Sequence, residues 1–157
     1  MFQRILVAID GTNASKNALY VAVDEAKAHR AELHAVYAFH HVVTHTMIFD
    51  GGSPLPDGTP EILNSVLDEE AKRILMNARE VASDEGISII AHTVSGDARN
   101  VILDLSKEIK ADLIIVGSSN KSGLDRLLLG SVSSAVVEHS KITTMVVREY
   151  ASPEERI

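Results

Sequence analysis

Apolar residues along the chain follow two alternating rhythms. "RILVAID", Arg4 to Asp10, is an unbroken aliphatic run closed by the turn residues "DGTN". Such a run predicts a strand buried on both faces. Ala18, Ala22 and Ala26 then recur at every fourth position, with Leu19 and Val23 beside them. This predicts a helix whose narrow stripe lies close against a sheet, capped by Thr12, Asn13 or Ser15. "AELHAVYAF", Ala31 to Phe39, predicts the second strand. The rhythm lapses over "HHVVTHTMIFDGGSPLPDGTP", which carries three prolines; it predicts a functional or mobile loop of about twenty residues.

Helical spacing returns with Leu63, Leu67, Ala71, Ile74, Ala78 and Val81. Thr59 is the expected N-cap, Pro60 fits the first helical position, and Glu61 suits the positive end of the dipole. Gly86 is the expected stop. "ISIIAHTV", Ile87 to Val94, predicts a third strand, and Asp97 caps a helix burying Val101, Ile102, Leu105 and Ile109. "ADLIIVG" predicts the fourth strand, Ser131 to His139 a last helix, and "ITTMVVRE" the fifth strand. Strands that alternate with helices indicate an α/β domain, a doubly wound parallel sheet with helices on both faces. Residues 1–150 form that single domain, and 151–157 are a polar tail.

Composition narrows the function. The chain of 157 residues suits one domain with its own core. It contains no cysteine, which excludes disulfides and Cys-ligated zinc. A net charge of −7 and 4% aromatic residues argue against a nucleic-acid partner. No signal-like segment or membrane-length apolar run is present, so a cytoplasmic protein with no membrane partner is expected.

In such sheets ligands bind beyond the carboxyl ends of the strands, where the strand order reverses. Two strand ends carry unusual residues there. The first ends in Asp10-Gly11 and the fourth in Gly117-Ser118-Ser119. From Gly117 to Ser131 the chain holds three glycines and four serines, with Lys121 and Arg126 among them. Gly117 permits close approach of backbone to a ligand. Gly130 and Ser131 stand at a helix start, where free N–H groups and the dipole favour an anion. The hydroxyls of Ser131 and Ser133 add donors. Neither G-x-x-x-x-G-K-[ST] nor G-x-G-x-x-G is present. His40, His41 and His45 lie in a loop without Cys or a carboxylate pattern, which argues against a metal site. His34 and His92 read as ordinary strand positions.

The stretch resembles the nucleotide-binding motif of the universal stress protein family: Gly, two residues, Gly, nine residues, Gly, then Ser or Thr. Gly117, Gly130 and Ser131 match it, and nine residues, Lys121 to Leu129, keep the spacing. Asn120 stands where the second Gly belongs. "ILVAIDGT", "ADLIIVGS", "SGLDRLLLGSVSSAVVEHS" and "TTMVVRE" are similar to the family's strands and helices, so the resemblance spans nearly the whole chain.

The resemblance implies a Rossmann-like, five-stranded sheet of order 3-2-1-4-5. It implies an adenine nucleotide as ligand: ATP first, with AMP or cyclic AMP as alternatives, and magnesium carried by the phosphates. Asp10 would contact base or ribose and Ala38 would line the adenine pocket. Gly117 would pass the ribose and phosphates. Asn120, Gly130, Ser131 and Val132 would meet the phosphates. The fifth strand would pair with its mate in a homodimer. The implied function is a stress-response regulator that reports to a further protein partner. A slow ATPase or phosphotransfer enzyme and a nucleotide-free dimeric interaction module are the alternatives.

Overall fold

A computed structural model describes residues 1–40, 58–118 and 129–148. The elements run β1 (Arg4–Ala8), α1 (Asn13–His29), β2 (Glu32–Phe39), α2 (Thr59–Asp84), β3 (Ile89–Ser95), α3 (Ala98–Glu108), β4 (Leu113–Ser118), α4 (Ser131–His139) and β5 (Thr143–Arg148). The five strands form one sheet of order β3-β2-β1-β4-β5, and every pairing is parallel. β1 lies at the centre, with Ile5 in register with Leu33 on one side and Leu113 on the other.

Alternation along the buried strands builds two cores. Ile5, Val7, Leu33, Ala35, Leu113 and Ile115 face α1 and α2, and meet Ala18, Leu19, Ala22, Ile74 and Ala78. Leu6, Val36, Ile114 and Val116 face the other way and meet Val101, Ile102 and Leu105 of α3 with Val136 of α4. The alanine stripe of α1 is fully buried, as small residues at a helix–sheet contact allow. These cores hold together what the site needs, the carboxyl ends of β1 and β4 side by side.

Two helix boundaries follow the sequence closely. Thr12 is the N-cap of α1, and its side chain accepts a hydrogen bond from Ser15 N–H. Asp97 caps α3 by accepting from Arg99 N–H. α2 departs from expectation. Its N-cap is Gly58 at φ 83°, and Thr59 is already helical. The left-handed turn there suits glycine and would strain a threonine. Leu63, expected in the buried stripe, is exposed, and the fully buried positions of α2 begin only at Ala71. Ile62, Leu63 and Val66 in the first turns are all exposed, so spacing alone does not bury them.

Candidate functional site

The carboxyl ends of β1 and β4 open into a pocket of about 410 Å³. Its wall takes Ala8 and Asp10 from the end of β1, Val36 and Ala38 from β2, and Val116 and Gly117 from β4. Ala98 and Ile102 of α3 close one side, and Leu129, Gly130, Ser131 and Val132 the other. Six of the seven expected site residues therefore meet around one cavity. Asn120, with Lys121, Arg126, His41 and His45, lies outside the described residues.

The turn from β1 into α1 shapes the carboxylate end. Gly11 sits at φ 82°, a conformation open to glycine at little cost. That turn lets Asp10 Oδ1 accept from Thr12 N–H at 2.9 Å and from the Thr12 hydroxyl at 2.6 Å. Thr12 Oγ1 in turn accepts from Ser15 N–H at 3.2 Å. Ser15 Oγ donates to the Thr12 carbonyl at 3.0 Å and accepts from Asp10 N–H at 3.2 Å. Asp10 is thus not the cap itself. It fixes the residue that caps, and these bonds use only one of its two side-chain oxygens.

The start of α4 forms another part of the pocket wall. Gly130 is the N-cap, makes no side-chain cap bond, and no acidic residue stands in the first turn. Among the described residues no side chain caps these leading N–H groups, which stand at the positive end of the helix dipole. Ser131 is exposed and can add its hydroxyl. Ser133, expected to do the same, is 1% exposed and donates to the Gly130 carbonyl at 3.0 Å. Its proton is committed to the helix start.

Gly117 has a reason that the sequence did not reveal. A Cβ placed there would lie 2.6 Å from Ala14 C, 2.7 Å from Ala14 O and 2.8 Å from Ser15 N. The backbone that approaches Gly117 is the first turn of α1, not only a ligand's. Val36, Ala98 and Ile102 were also missed as lining residues. Val36 was legible as the residue two before Ala38 on the same strand face. The α3 residues were not, because their place depends on how that helix crosses the sheet.

Beside Ala98, Arg99 donates from Nε and Nη2 to the two Asp97 oxygens at 2.9 and 2.8 Å. The guanidinium holds the Asp97 carboxyl down at about 2. Among the described lining residues of the pocket, Asp10 is the ionisable one. No group of three or more metal-ligating side chains occurs among the described residues.

An open sheet with a cavity at its switch point defines a doubly wound α/β binding domain. Residues 1–148 match the universal stress protein family, and the chain belongs to it. It is 35% identical over 148 residues to the universal stress protein YxiE of Bacillus subtilis, covering 94% of this chain and 100% of that one. Among solved structures it is similar to the universal stress protein UspA from Lactobacillus plantarum, with a TM-score of 0.74, 27% identity and coverage of 93% and 97%. A universal stress protein solved in complex with cAMP is also similar, with a TM-score of 0.65, 27% identity and coverage of 94% and 97%. No described helix is long and apolar enough to cross a membrane.

Proposed function

We propose that this protein binds an adenine nucleotide, ATP first among them, and acts as a dimeric regulator of a stress response in the cytoplasm. The observation that carries the reading is the polarity of the pocket. Asp10 offers a carboxylate in the pocket wall, and the start of α4, which no described side chain caps, offers N–H donors in the same wall. A nucleoside phosphate has the matching polarity, with donors on ribose and base and an anion at its tail. Ala8, Val36, Ala38, Ile102 and Val116 supply an apolar wall for the base. The likeness to the relative solved with cAMP supports the same class of ligand.

In this reading Asp10 accepts from the ribose or base, and Ala38 lies against adenine. Gly117 passes the ribose, while Gly130, Ser131 and Val132 meet the phosphates. Asn120 would join them with its side-chain amide. Hydrogen bonds to a charged group contribute about 1.5–3 kcal/mol each, so the helix start dominates affinity. The described residues at the start of α4, Gly130 to Ser133, include no carboxylate or imidazole to activate water, and the proposed role is binding followed by a report to a protein partner.

A second reading is a nucleotide-free dimeric module, and Gly117 favours it, because helix packing alone accounts for that glycine. Mass spectrometry of ligand released from protein purified without added nucleotide, followed by calorimetry with ATP, AMP and cAMP, separates the two. Gly130→Val places a branched side chain at the start of α4 and should abolish binding. The cap itself loses no more than about 1 kcal/mol. A wild-type protein that binds none of the three nucleotides sinks the first reading and leaves the second.

A further inference from the structure

Three titratable side chains on β2 and β3 form a line outside the pocket. His34 Nε2 lies 2.7 Å from Glu32 Oε1, and His34 Nδ1 lies 2.9 Å from His92 Nε2. The two rings lie edge to edge, with centroids 5.2 Å apart and planes 14° from parallel. His34 is only 5% exposed. In the register of the two strands His34 is opposite Ile90 and His92 opposite Val36, so the rings meet diagonally on one sheet face. Arg4 Nε reaches Glu32 at 3.9 Å from the β1 side, and Glu108 of α3 acts on His92 from the helix side.

The geometry settles which nitrogens carry hydrogen. A carboxylate only accepts, so His34 Nε2 must be the donor to Glu32. Neutral His34 then offers Nδ1 as an acceptor, and His92 Nε2–H donates to it. One added proton leaves this line intact, whichever ring takes it, since a single hydrogen still lies between Nδ1 and Nε2. A second added proton puts an N–H on both facing nitrogens. Two donors cannot remain at 2.9 Å, and the rings must part.

We propose that Glu32, His34 and His92 form a proton-binding relay that ties the edge strand β3 to β2 while it carries at most one added proton, and loosens that edge when acid adds a second. The relay acts on a strand whose end leads through Asp97 to Ala98 in the wall of the pocket. Burial, and then the neighbouring His34, hold the His92 imidazole below its usual range. A histidine depressed in the folded state stabilises above its unfolded value near 6.5 and loses that contribution as pH falls through the folded value.

Proton titration of the imidazole resonances by NMR, together with hydrogen-exchange protection of β3 amides between pH 7.5 and 5, tests the relay on the whole chain. The expected result is two separated titration steps. Below the second, β3 protection should fall relative to β1 and β4 by up to about tenfold per pH unit, the limit for one linked proton. His92→Gln keeps a donor for His34 without a titrating group and should remove the β3-specific fall. Two independent titrations near the ordinary histidine value with β3 tracking β1 and β4 would overturn the relay, and the wild-type titration decides even if the variant does not fold. A His92→Gln protein that retains the wild-type fall would also overturn it.

Discussion

Gly117 leaves no room for a side chain beside Ala14: a Cβ on the glycine would stand 2.6 Å from the alanine's carbonyl carbon. The contact is backbone against backbone, so no side-chain rotation relieves it. Gly117→Ala should force α1 away from the end of β4 and destabilise the fold by about 1–3 kcal/mol, as overpacking does. Urea unfolding measures it. A midpoint equal to wild type would mean that the contact can relax, and that glycine stands there for a ligand.

The bond from Thr12 to Asp10 makes two predictions separable. Asp10→Ala removes the acceptor that fixes the α1 cap, so stability should drop by about 0.5–2 kcal/mol along with nucleotide affinity. Asp10→Asn keeps an oxygen for Thr12 but gives up the negative charge. Thermal unfolding should show Asn restoring most of the stability, and calorimetry should show affinity still reduced. If Asn binds like wild type, the charge does not take part in recognition.

Acid acts on α3 through Asp97. Its folded value, about 2, lies below the ordinary 3.8, so its contribution is present above pH 4 and disappears as pH falls toward 2. The pair is solvent-exposed and screened, which keeps the effect small. Asp97→Asn should remove this part of the acid dependence while Asn still caps the helix. A pH-unfolding profile for the variant that parallels wild type between pH 4 and 2 would show that the Arg99 pair contributes nothing.

The sequence made the scaffold legible because its buried strands are continuous aliphatic runs and its helices repeat every third or fourth residue. It also marked both ends of the pocket, since Asp10 closes one run and Gly130-Ser131 opens a helix. Other features depend on tertiary placement. Nothing near Gly117 in the chain announces that Ala14 packs on it, and nothing near His34 announces His92. The exposed start of α2 misleads for the same reason: Leu63 keeps helical spacing but stays exposed. The link from Asp10 through Thr12 to Ser15, by contrast, lies within six residues of chain and is legible from the turn residues themselves.

β5 is an edge strand whose Met145 and Val146 are only partly buried by the described residues of one subunit. Among the described residues no strand pairs with its outer side, which favours pairing with the same strand of a second copy across a two-fold axis. Val146 also packs against the α3-side core, so a substitution there needs a folding control. Val146→Lys can keep its stem on that core and carry its ammonium outward. The charge would then meet its own symmetry mate in a dimer and find water in a monomer. The expected outcome is a folded monomer by circular dichroism and light scattering at low micromolar concentration, against a dimer for wild type. A wild-type monomer, or a dimeric variant, would remove β5 as the interface.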